Sequence, residues 1–220
     1  MDDEKIPAAS AEVLAAIDKS TRFSRALYQA QPVEVKMPSL SDAGNEQLQP
    51  ASERRLRLIV SSALFSVALD HHVALILLLQ RHMRSSAFAS LRAVFEAVWR
   101  GAWAAYVAPV ENLLAFIDGR YEPSPDAVIR QLESKHELPP VLSKIKREGW
   151  SAMSAFVHGG AIQVQRWVGN GIIEPQHSDA EVLEVLAVAD RLAFAACVLF
   201  VDVANADAEG LALLAEEFLT

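Results

Sequence analysis

Apolar residues recur three and four positions apart along most of this chain, the spacing of one helix face. From about Ala8 to Ala30, Val13, Ala16, Ile17, Phe23 and Leu27 make a partial stripe. From about Ala51 to Met83, Leu56, Val60, Ala63, Val67, Ala74 and Leu78 keep near-helical phase. Ser85 or Ser86 is placed to cap a third helix reaching about Val107, and Pro109 opens a short one to about Ile117. A polar stretch with four prolines follows, and within it Ser124-Pro125 reads as an N-cap with proline at the first helical position. Further helices are expected from about Trp150 to Val168, from the capping box Ser178-Asp179-Ala180-Glu181 to about Ala204, and from Glu209 to Phe218. No segment alternates with period two. The pattern predicts an all-α fold, a bundle of about five to seven helices. Pro32, Pro38 and Pro50 break the phase early, which divides the chain into residues 1–50, an N-terminal helix with a proline-containing linker, and residues 51–220, the bundle.

The stretch "SAFVHGGAIQVQRW" interrupts this regularity. His158 and two glycines stand in an apolar run, yet Trp150, Met153, Val157, Ala161, Val164 and Val168 hold their phase through Gly159 and Gly160. That favours one continuous helix, with the glycines admitting a close neighbour, over a helix that ends at His158. On a continuous helix Ser154, His158 and Gln165 share a polar stripe.

A second interruption lies in "SAFASLRAVFEAVWRGAWAAY". Phe88, Leu91, Phe95, Val98, Ala102 and Tyr106 form one face, and most other positions are apolar too, as in a buried helix. Arg92, Glu96 and Arg100 nonetheless repeat every four residues, so that Glu96 can reach both arginines. The stripe reads either as a solvated or register-fixing ion pair, or as the polar wall of a cleft. A histidine on an apolar helix needs a partner, and Glu96 is the nearest by type. We therefore expect Arg92, Glu96 and His158 to cluster where their two helices pack.

Composition narrows the function. The chain has 220 residues, 52% of them hydrophobic, and a net charge of −8, which argues against a broadly basic nucleic-acid surface. A single cysteine, Cys197, excludes an intrachain disulfide and reads as an inert core thiol. An acidic, polar N-terminus points to a cytoplasmic location. Asp70, His71 and His72 interrupt one long apolar run, and Asp190, Arg191 and Asp202 another, so both are taken as core helices rather than membrane spans. His71 and His72 cannot share a ligand on one helix, and beside Asp70 they read as a break at the helix surface.

The pattern "LRAVFEAVWRGAW" followed by "FVHGG" and "QVQRW" resembles uncharacterised bacterial helical proteins of HEPN-like type, found in toxin–antitoxin and phage-defence settings. The likeness spans about residues 55–205 in helix order and rests on Arg92, Phe95, Glu96, Arg100, His158 and Gly159. It implies a HEPN-like up-down arrangement, a homodimer, and RNA cleavage through an Arg-x(4–6)-His motif at the dimer interface. The literal match to that motif, Arg130 to His136, lies in the proline-rich stretch rather than before His158.

Other chemistries find little support. Glu133–His136 and Glu174–His177 have Glu-x-x-His spacing, but adjoining prolines keep them off core helices, so no metal and no cofactor are expected. Arg54, Arg55 and Arg57, and likewise Lys144, Lys146 and Arg147, read as solvated helix faces. The expected function is a helical-bundle binding or interaction protein, homodimeric, with a protein partner and within a toxin–antitoxin or phage-defence system. The alternative is an RNA-cleaving effector using Arg92, Glu96, Arg100 and His158, with His158 as acid/base. Whether the chain is an enzyme stays open on sequence alone.

Overall fold

The computed structural model describes residues 9–30, 50–135, 140–157, 161–169, 172–173, 176–206 and 209–219. Among them are nine helices: α1 (Ala11–Ala30), α2 (Pro50–Gln80), α3 (Arg84–Tyr106), α4 (Val110–Ile117), α5 (Pro125–Lys135), α6 (Val141–Val157), α7 (Ala161–Gln165), α8 (Asp179–Ala204) and α9 (Glu209–Phe218). The only sheet among the described residues is a small hairpin of β1 (Val168–Gly169) and β2 (Ile172–Ile173), antiparallel with Val168 opposite Ile173. The fold is all-helical, as the periodicity predicts.

The helix count exceeds the expected five to seven, and both α6 and α7 fall where one helix was expected, while the proline-rich stretch is more helical than it reads. α6 begins at Val141, nine residues before Trp150. Pro140 precedes its first turn, where a missing N–H costs nothing, and its carbonyl accepts from the Lys144 N–H at 2.9 Å. Downstream, Val168 belongs to the hairpin and not to a helix. Residues 158–160 lie outside the described residues, and so does the expectation of continuity across the glycines.

The termini of the long helices follow local chemistry. Ser178 caps α8 through its side chain, and Glu181 returns a bond to the Ser178 backbone. Asn205 closes α8 in the left-handed conformation, φ 52°. Ser85 and Ser86 do not cap α3. The N-cap is Met83, which makes no side-chain bond. Ser85 instead turns its hydroxyl to His177, 3.0 Å away.

Cross-helix contacts fix the directions. Arg57 donates to the Ala104 and Ala108 carbonyls at 3.2 and 2.6 Å, so α2 and α3 run antiparallel. Tyr106 donates to Asp202 at 2.5 Å near one end, and Arg84 reaches Asp179 at 3.3 Å at the other, so α3 and α8 run parallel. α1 lies along α8 in the same direction, and α6 opposes α3, with Phe88 against Phe156 and Phe95 against Trp150. α3 is thereby enclosed by α2, α8, α6 and α5. This is why it is apolar almost all round: twelve of its residues are buried, among them Trp99 and Trp103.

α2 is long and apolar enough to cross a bilayer by length and composition. Within the bundle, α1, α3, α4 and α8 pack against it. Its crossing with α3 is set by Gly101, where an added Cβ would stand 2.4 Å from Cε1 of the fully buried Phe65. The close-approach glycine of the described fold is thus Gly101.

Gly101→Ala tests this crossing. Helix propensity alone would stabilise the variant by up to about 1 kcal/mol. Overpacking against Phe65 costs about 1–3 kcal/mol and dominates. We expect a net loss in urea denaturation. A gain would show that the crossing has room to spare.

Candidate functional site

The charged stripe on α3 forms a closed ladder. The Arg92 Nε donates to Glu96 Oε1 at 2.7 Å, and the Arg100 Nη1 donates to Glu96 Oε2 at 2.7 Å. Both carboxylate oxygens of Glu96 are therefore engaged by guanidinium groups. Arg100 also pairs with Glu122 in the loop before α5, while its Nε is buried with no partner among the described residues. The side chains of Arg92, Glu96 and Arg100 are 21%, 18% and 24% exposed. They are neither a solvated stripe nor fully buried. They sit at the seam where α3 meets α6.

α6 answers the ladder with Ser154 and Trp150. Arg92 Nη1 donates to Ser154 Oγ at 2.9 Å, and the hydroxyl passes its own proton to the Trp150 carbonyl at 2.7 Å. The Arg92 guanidinium lies 4.4 Å from the centroid of the Trp150 ring, within cation–π range. Lys146 Nζ stands 5.4 Å from the same ring, and Phe95 meets it edge-on at 6.3 Å. Trp150 is thus held by two cations and an aromatic edge. The structure brings Arg92, Glu96 and Arg100 together. His158 lies outside the described residues, so its expected place beside Glu96 does too.

Two histidines are buried among the described residues, and the sequence misplaces the first of them. His72 is no surface break. It is fully buried, and its Nε2 meets Asp190 Oδ1 at 2.7 Å, while Ser20 Oγ donates to Asp190 Oδ2 at 2.6 Å. A signal for this existed: Phe65, Leu69, His72, Ile76 and Leu79 step by four, three, four and three along one buried face of α2. Asp190 sits among Leu186, Ala193 and Cys197 on α8 in the same manner. Cys197 behaves as expected of a core thiol. It is fully buried, burial raises its pKa to about 11, and its nearest polar partner is the Leu27 carbonyl at 3.8 Å.

His177 is the second. It sits ahead of α8 at 5% exposure, its ring 4.8 Å from that of Phe88 and 5.8 Å from that of Phe156. Its Nε2 faces Ser85 Oγ at 3.0 Å, and that oxygen also accepts from Trp167 Nε1 at 3.1 Å. Desolvation lowers the His177 pKa from its ordinary 6.5. Glu181 opposes the shift, and Arg166 and Arg84 reinforce it. The first basic cluster also has structural work, since Arg57 pairs with Glu53 and ties down the end of α3. Lys146 of the second pairs with Asp126. No group of three or more metal-ligating side chains occurs among the described residues.

Two measurements probe this region. Glu96→Gln removes the shared charge and turns an amide NH2 group towards one of the two guanidinium groups, so we expect a loss of about 1–3 kcal/mol in urea denaturation. That loss should exceed the one from Arg100→Ala, and the reverse order would place the weight of the ladder elsewhere. For His177, the unfolded chain takes up the proton first as pH falls. The stabilisation by its neutral form is full above about pH 6.5 and is lost as the pH drops through the lowered folded value. We expect Tm to fall from about pH 7.5 to about pH 5.5, and His177→Gln to flatten that fall. An unchanged slope in the variant would assign the fall to other groups.

The model of a protein family of unknown function, DUF6988, matches residues 65–210. No curated protein and no solved structure matches the chain.

Proposed function

The chain belongs to that family of unknown function, and on this premise we propose that it is a helical-bundle interaction protein that associates as a homodimer. One observation carries the reading. The hairpin turns Val168 and Ile173, directly opposite one another, towards solvent at 59% and 78% exposure. Opposed residues on paired strands share a face. Val164, Val157 and Trp167 on the adjoining segments are exposed as well. Apolar side chains gathered over so short a stretch favour burial against a partner, and a two-fold arrangement lets the same patch serve both copies. The ladder supports this reading from the other side. Glu96 has both oxygens bound to arginines, so it is poorly placed to act as a base.

A second reading is a HEPN-like RNA-cleaving effector in a toxin–antitoxin or phage-defence setting, with the up-down arrangement that resemblance implies and His158 as acid/base. What favours it is a groove of about 500 Å³ beside Trp150, lined in part by Arg130, Lys146 and Arg147. Basic side chains next to a half-buried indole suit a nucleic-acid strand.

Light scattering on wild type, Val168→Asp and Ile173→Asp tests the first reading. We expect a dimer that both substitutions convert to a folded monomer, and a monomeric wild type would overturn the proposal. Incubation with mixed RNA separates the second. Cleavage that His158→Ala and Arg92→Ala both abolish in folded protein would replace the interaction reading with the effector.

A further inference from the structure

A groove of about 270 Å³ runs between α3, α6 and α8, apart from the ladder and the hairpin. Leu91, Met153, Phe156 and Val188 make its apolar floor and walls. Glu148, Glu181 and Glu184 line it as well, with no basic side chain among its lining residues. Glu181 is engaged by Arg166 and by the cap of α8. Glu148 meets Arg147 at 3.4 Å in an exposed pair, and Glu184 makes no ion pair among the described residues.

The α6 wall explains why the groove is open. Ile145, Gly149, Ala152 and Phe156 step by four, three and four along one face, two small residues between two large ones. Glycine inside a helix is destabilising relative to alanine by about 1 kcal/mol. Among the described residues no neighbour stands closer than Met153 to the space a side chain would take there. A Cβ on Gly149 would meet Met153 Cε at 3.4 Å, an ordinary contact. The space that Gly149 leaves is therefore not filled by the packing of the described residues.

We infer that this groove docks an amphipathic helix of basic character from a partner protein. The volume falls just below the range of about 300–1,000 Å³ of small-molecule pockets, and a groove walled by helices suits apolar anchors at i, i+3, i+4 and i+7. The carboxylates select lysine or arginine flanking those anchors. A second copy of this chain is disfavoured as the occupant, because the dimer proposed above forms through the apolar hairpin and not through this acidic rim. The inference deepens the interaction reading by naming the partner's chemistry, and it uses a surface separate from the hairpin.

The test is a titration of the full chain with a synthetic peptide of about 16 residues, leucine at the anchor positions and lysine between them. We expect saturable one-to-one binding. Ala152→Trp fills the groove from an exposed position and should weaken binding about tenfold or more, as should Glu148→Lys combined with Glu184→Lys. Gly149→Ala should raise Tm while weakening the peptide, which separates the groove from the fold. No binding, binding that survives Ala152→Trp, or equal binding of the peptide with glutamate for lysine would each overturn the inference. Any of these beside an intact hairpin-dependent dimer would remove the groove partner and leave the dimer reading standing.

Discussion

A single carboxylate fixes where three helices lie. Asp190 of α8 accepts from Ser20 of α1 and meets His72 of α2, inside an otherwise apolar interface. A buried polar group that loses its partner costs free energy, and any slide of one helix along another would part the carboxylate from the imidazole. Apolar packing alone is permissive about register, whereas this knot is not. The same alignment recurs at either side of it. Ser10 donates to Asp179, and Cys197 lies beside the Leu27 carbonyl, so α1 and α8 keep one register over their shared length.

From that fixed pair the rest of the bundle can be built outwards. α2 and α8 present the inner face on which α3 packs, with Gly101 and Phe65 determining how closely. α3 then offers its remaining side to α6, and there the charged ladder replaces an apolar contact. The bundle thus has two polar seams, one deep and made of few atoms, the other half-open and made of long guanidinium arms. The deep seam sets geometry. The half-open one, bordered by Trp150 and a basic groove, and the neighbouring acidic groove face the surroundings.

The helices were largely legible in sequence because their signals are local. Capping boxes, prolines and apolar phase act within a few residues, and Ser178, Pro125 and the ends of α4, α8 and α9 fall close to where those signals put them. The Arg92–Glu96–Arg100 ladder was legible for the same reason, since its partners are one turn apart. The Asp190 knot was not, because Ser20, His72 and Asp190 are scattered over 170 positions and only the tertiary fold joins them. Ser85 misled for a related reason. Its hydroxyl has the chemistry of a cap, yet a buried imidazole more than 90 residues away claims it. Pro140 misled in the opposite direction, being a breaker in a helix interior and harmless at a helix start.

The position of Cys197 has a practical consequence. It is the only thiol in the chain, fully buried where α1 lies over α8. A reagent can reach it when the contact between those helices opens, and its reactive thiolate form is scarce while it stays covered. The rate at which a thiol-specific dye labels the native protein is therefore a clock for local opening at that contact. The molecule carries its own reporter there, at a place where no residue needs to be added.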